Sequence, residues 1–181
     1  MTASRGADAL QLKRPAVELV SSYLDFLDEI AALGERVWPA RPKAGETREN
    51  FVAGVLQAEV APAPDHVPQT TYWATVSETV VGHIGLRHRL NAELAEFGGH
   101  IGYSVRPSYR ARGLAKEMLR QVLRTPKAQE IGKLLLTCAP DNIASNRTIR
   151  ANGGMLERTV FVERVGRDTN LYWISLAPLR S

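Results

Sequence analysis

The segment Val105 to Ala115, V-R-P-S-Y-R-A-R-G-L-A, constrains this chain more than any other. An alternating apolar stretch, His100 to Val105, runs into Arg106-Pro107. A short basic turn follows, and helical periodicity starts at Gly113. The spacing Arg110-x-x-Gly113-x-Ala115 sets two small residues where backbone must come close to something. A strand, a small-residue turn and a helix N-terminus together make an anion site, because free N–H groups point outward and the helix dipole favours negative charge. The pattern reads as a pyrophosphate cradle without a nucleotide-kinase signature.

Two common phosphate fingerprints are absent. There is no G-x-x-x-x-G-K-[ST], and no G-x-G-x-x-G after a strand with an acid roughly 20 residues on. Downstream, Leu114, Ala115, Met118, Leu119, Val122 and Leu123 share one helical face, while Lys116, Glu117, Arg120 and Arg124 face away. Lys133 to Cys138 reads as a short buried strand. It leads to Asn142-Ile143-Ala144-Ser145-Asn146, an N-x-x-S pattern that opens another helix.

Arg110-Ala111-Arg112-Gly113-Leu114-Ala115 resembles motif A of the GNAT superfamily of N-acetyltransferases, [Q/R]-x-x-G-x-[G/A]. Asn142 to Ser145 resembles its motif B, and Gly98 to Pro107 has the look of its fourth strand. The resemblance covers about residues 70 to 176. The string F-G-G-H-I-G-Y-S-V-R-P with N-G-G downstream is similar to a bacterial branch of predicted acetyltransferases. It implies an α/β (α+β) fold: a mixed, largely antiparallel sheet of about six or seven strands, helices on both faces, and splayed fourth and fifth strands. The implied activity is transfer of an acetyl group from acetyl-CoA (coenzyme A) to an amine of a small molecule or protein, by direct attack in a ternary complex.

The resemblance also assigns roles. Backbone N–H groups of about Ala111 to Lys116 (Ala111, Arg112, Gly113, Leu114, Ala115 and Lys116) would hold the coenzyme A pyrophosphate, with Arg110 also among the cofactor-binding residues. Gly113 and Ala115 would stay small so that the diphosphate can approach. Tyr103, Ser104 and Val105 would border the thioester, with the Tyr103 N–H as oxyanion donor. Asn142 would meet the pantetheine arm or cap the next helix, and Ser145, Asn146 and Arg147 are further candidates on that cofactor wall. Members often carry a glutamate near the place of Gly99-His100, so His100 is the candidate base, set against a histidine merely hydrogen-bonded at a strand start. The tyrosine that many members place seven residues after the motif-B asparagine is Ile149 here. Tyr103, Tyr109 or solvent would then protonate the leaving thiolate. These departures leave a second reading open, a weakly catalytic or non-catalytic acyl-CoA-binding sensor.

At 181 residues the expectation is one domain spanning 1–181. No run of about 18 apolar residues exists, and the start M-T-A-S-R-G-A-D-A-L lacks a signal-peptide core. The single cysteine, Cys138, fits a reducing compartment and reads as a core thiol. The expectation is a cytoplasmic protein with no membrane partner. The net charge of +4 suits a polyanionic cofactor. No groove-reading motif is present, so no nucleic acid is expected. His83 and His88 are five apart on one strand and no acid or cysteine completes a set, so no metal is expected. A monomer or homodimer is compatible with all of this.

Elsewhere, Leu10 to Lys13 could be a first strand, and Ala16 to Gly34 keeps helical spacing. Trp38-Pro39 and Arg41-Pro42 break the chain, and a helix with a loose start is expected from about Thr47 to Glu59. Thr71 to Val76 with Val80 to Leu86, and Val160 to Val165 with Leu171 to Leu176, read as hairpins. Trp38, Trp73 and Trp173 read as core. Thr125-Pro126 must kink or split its helix, with Thr125 able to cap a new segment.

Overall fold

A computed structural model describes residues 9–35 and 40–176. Trp38-Pro39 lies outside the described residues. Seven strands form two antiparallel sheets. In the first, β1 (Gln11–Lys13), β2 (Gln69–Val76), β3 (Thr79–Arg87) and β4 (Ile101–Val105) lie side by side in chain order. In the second, β7 (Arg167–Ser175) lies between β5 (Lys133–Cys138) and β6 (Met155–Val162). No ladder joins β4 to β5, so the sheet divides where the resemblance expects it to splay.

Helices cover both faces, and alternation along the strands shows which. Trp73 and Val80 join Val20, Tyr23, Phe26 and Leu27 of α1 (Val20–Ala32) and Phe51 of α2 (Arg48–Gln57) in one core. The Tyr23 and Trp73 rings stack at 4.2 Å. Their chain neighbours Ala74 and Val81 point the other way. They pack with Met118, Leu119 and Val122 of α4 (Leu114–Leu123) and Ile149 of α6 (Ile143–Ala151). The apolar stripe of α4 is therefore the one its sequence marks.

Thr125 splits the helix rather than kinking it. Its hydroxyl accepts from the Ala128 N–H at 3.3 Å and opens α5 (Pro126–Ile131) with proline at the first position. Thr47 likewise caps α2, accepting from Asn50 N–H at 3.2 Å, so a threonine suffices there without an acid at N3. The last hairpin is longer than its sequence indicates. β6 begins at Met155, and its exposed Met155, Leu156 and Phe161 spoil the alternation expected of a half-buried strand. The short α3 (Ala92–Glu96) links β3 to β4. Among the described residues, no helix is long and apolar enough to cross a membrane.

Candidate active site

The turn after β4 keeps its amides open. Pro107–Tyr109 forms one 3-10 turn, Ala111 takes φ +61°, and Gly113 takes φ +76° immediately before α4. A Cβ added at Gly113 would meet no atom within 4 Å. The glycine is thus required by its left-handed backbone, not by crowding from the rest of the chain. The first helical amide to find a partner is that of Glu117, on the Gly113 carbonyl at 3.2 Å. Among the described residues, the N–H groups from Ala111 to Lys116 make no hydrogen bond.

This turn forms one end of a cleft of about 570 Å³ at the division between the sheets. The cleft gathers Tyr103, Ser104 and Val105 of β4, Arg110, Ala111, Gly113, Leu114, Ala115 and Lys116 of the turn and α4, and Asn142 and Ser145 at the start of α6. It also takes in Tyr109, Ala144, Thr148 and Glu35. Thr148 follows one helical turn after Ala144 and Ser145. Glu35 has no local sequence signal, because its place depends on α1 packing against β3 and the 107–109 turn. A second cleft, about 660 Å³, lies between α3 and β6 and holds none of the motif residues.

Hydrogen-bond parity shows which backbone groups of β4 face the gap. Arg87 N–H donates to His100 O at 2.7 Å, and Arg106 N–H to Val81 O at 2.8 Å. The register between β3 and β4 has no slip, so the even-numbered residues of β4 pair with β3. Ile101, Tyr103 and Val105 therefore turn their N–H and C=O groups away from β3, toward β5. The Tyr103 N–H points into the gap.

The Tyr103 side chain spans the cleft. Its Oη lies 2.7 Å from Ser145 Oγ. Burial pushes the phenol up to about 12, so it is a neutral, proton-bearing group through the physiological range. Asn142 caps α6, accepting from Ser145 N–H at 3.0 Å.

Three expected residues stand outside the cleft. Arg112 donates to Ser108 O at 3.1 Å, with its guanidinium over the Tyr109 ring. Asn146 is buried as a pin between elements. Its Nδ2 donates to Ala139 O at 3.0 Å, and its Oδ1 accepts from Tyr172 Oη at 2.6 Å and Asn170 Nδ2 at 2.9 Å. Arg147 is exposed on the outer side of α6.

His100 also lies off the cleft lining. It is 6% exposed, and its Nδ1 accepts from Leu135 N–H at 2.9 Å. Burial, with the Arg87 charge adding to it, depresses its pKa to about 4. Arg87 itself is pulled down to about 10 by burial and donates to Gly98 O and Gly99 O at 3.1 and 2.9 Å. Burial pushes Cys138 up to about 11, as befits a core thiol.

Two carboxylates hold the turn from α1 and its continuation. Glu29 accepts from Arg106 Nε at 2.7 Å and from Ser108 N–H at 3.1 Å. Desolvation opposes these bonds, yet they keep its pKa low. Glu35 takes both terminal nitrogens of Arg110 at 2.6 Å each, and these bonds outweigh desolvation to hold its carboxyl below the usual range. Arg110 Nε meanwhile donates to Val105 O at 3.2 Å.

The sequence model of the acetyltransferase (GNAT) domain matches residues 24–155. A search among curated proteins finds no match. Among solved structures, the chain is similar to the microcin self-immunity acetyltransferase MccE in complex with acetyl-CoA and AMP, with TM-score 0.66, 17% identity and 93% of each chain covered. It is also similar to a ribosomal-protein alanine acetyltransferase from Vibrio fischeri, with TM-score 0.67, 15% identity and 100% of each chain covered. A third likeness is to RimL, a ribosomal alpha-N-protein acetyltransferase in complex with coenzyme A, with TM-score 0.65, 19% identity, and 92% of this chain and 94% of that one covered. At these identities the structures speak for the fold, and the domain match over most of the chain speaks for descent: the chain belongs to the GNAT acetyltransferase family.

Proposed function

We propose that this protein transfers an acetyl group from acetyl-CoA to an amine of a small molecule or protein, in a ternary complex. The reading rests on one observation above all. The N–H groups from Ala111 to Lys116 are unpaired at the mouth of a gap into which β4 also directs the Tyr103 N–H. That row of donors fits a diphosphate, and the open space at Gly113 lets it approach.

Acetyl-CoA supplies the activated acyl thioester. The residues of the chain do the rest. The amides of the turn and the helix dipole of α4 hold the diphosphate, each contributing about 0.3–1 kcal/mol when exposed, so several act together. The Tyr103 N–H stabilises charge developing on the carbonyl oxygen. Tyr103 Oη, oriented by Ser145 Oγ, gives its proton to the departing sulfur. This is the role that Ile149, 1% exposed in the core, cannot fill from α6. The one carboxylate of the cleft, Glu35, is paired with Arg110. The acceptor nitrogen therefore loses its proton to water.

Titration calorimetry with acetyl-CoA, followed by thiol release against small amines and peptide N-termini, tests the proposal. Binding and acceptor-dependent thiol release are expected. No binding overturns it. Binding without release on any acceptor favours the sensor reading, which is supported by the lack of an unpaired carboxylate in the cleft among the described residues.

A further inference from the structure

We propose that His100 is a positioning residue whose imidazole closes the gap between β4 and β5, fixing where the two strands diverge and thereby where the Tyr103 N–H stands. This deepens the acetyl-transfer reading and rests on it for its kinetic consequences.

Backbone geometry at one residue makes the imidazole necessary. Within a regular strand, a residue presents its N–H and C=O to the same neighbouring strand. His100 does not. Its C=O accepts from Arg87 N–H on β3, while its own N–H donates to Leu135 O on β5 at 2.7 Å. Gly99, at φ +61°, makes this crossing possible, and a Cβ there would collide with the Leu135 carbonyl. The consequence falls on Leu135, which is 1% exposed. Its N–H faces β4 at the place where β4 has turned its carbonyl to β3. The Nδ1 lone pair of His100 takes that proton instead, at 2.9 Å.

One side chain and one main-chain N–H thus join the two sheets at this rung, next to the bond that Gly98 N–H donates to Thr137 Oγ1 of β5 at 2.8 Å. Beyond it the strands part. Tyr103 lies three residues farther along β4, about 10 Å at the usual strand rise. A rung that shifts carries the Tyr103 amide with it, and misplacement by about 1 Å is enough to slow a reaction by about 10²-fold.

The ring must be neutral to accept at Nδ1. The groups packed against it keep it so. Arg87 is the near cation, with Glu93 acting on Arg87. The Trp173 ring lies 6.5 Å away, with Lys133 over its outer face. Burial adds to the Arg87 charge, and the depressed pKa agrees with this arrangement. A base that cycles a proton near neutral pH would need the opposite setting.

Nitrogen-15 NMR of the imidazole in the wild-type protein reads the state of the ring directly. The expected result is a single Nε2–H tautomer from pH 5 to 8. Protonation with a midpoint near pH 6.5 would overturn the proposal. Kinetics supply the second arm. His100→Ala should lower kcat by about 10- to 100-fold, with the dissociation constant of coenzyme A within about threefold of wild type. His100→Asn should restore most of the loss, because Oδ1 falls where Nδ1 does. An asparagine variant no better than alanine overturns the proposal, as does an acidic limb in the wild-type rate profile that vanishes in the variants. A wild-type protein that fails to bind coenzyme A would sink the acetyl-transfer reading alone, leaving the NMR result to judge the rung.

Discussion

Tyr103 on β4 and Ser145 on α6 meet across the cleft, with their hydroxyl oxygens 2.7 Å apart. The pair bridges two elements that share no sheet and puts a neutral phenol beside the gap. Tyr103→Phe should therefore cut kcat by about 10²-fold or more while leaving coenzyme A affinity nearly unchanged. Steady-state kinetics beside calorimetry check this. An unaltered kcat would assign protonation of the thiolate to water.

Glu35 places a carboxylate inside the proposed anion site. It neutralises Arg110 and stands in the cleft that the diphosphate would enter. Glu35→Gln should tighten coenzyme A binding by roughly two- to fivefold, the scale of an exposed ion pair. Arg110→Ala should weaken it. Calorimetry on both variants gives the sign.

The pH dependence of turnover follows from the lack of an unpaired carboxylate in the cleft among the described residues. The neutral fraction of the acceptor amine rises with pH. With kcat/KM plotted logarithmically, the slope should stay near one up to the pKa of the acceptor, about 10.4 for a lysine-like amine. A plateau beginning near pH 6.5 would point to a histidine base.

Stability should depend on pH through two buried histidines. His83 and His100 are both depressed to about 4, in each case by burial first and by the Arg87 charge second. Between that value and about 6.5 the unfolded chain binds protons that the native protein does not. Their contribution is thus fully present above pH 6.5 and is lost as the pH falls toward 4. Thermal melts across that window should show Tm falling with acid, and His100→Asn should flatten the slope.

Asn146 should matter to folding rather than to cofactor binding. Removing its amide leaves the Tyr172 and Asn170 donors without the acceptor they share. Asn146→Ala should cost about 2–3 kcal/mol, the scale for buried donors left unpaired, with little change in coenzyme A affinity once folded. Denaturant titration measures it.

The turn and helix start after Pro107 were readable from sequence because their causes are local. Gly113, Ala115 and the Asn142 cap act on their own backbone within a few residues. The helix break at Thr125-Pro126 is local in the same sense. Glu35 was not readable, because it meets Arg110 across 75 positions and only the packing of α1 against β3 and the 107–109 turn joins them. Asn146 fits the motif-B wall by position, yet one helical step turns it inward to Tyr172. His100 was visible as a histidine at a strand start. What its ring does depends on Leu135 of another sheet, and no spacing in the chain encodes that.

In the proposed mechanism the amides after Pro107 hold a diphosphate at the mouth of the divided sheet. Titrating coenzyme A into nitrogen-15-labelled protein while following backbone amides tests it most directly. The largest shifts should fall on Ala111 to Lys116 and on Tyr103, and the change should saturate with bound cofactor. Saturable binding that leaves those amides unmoved, or no binding at all, would contradict it.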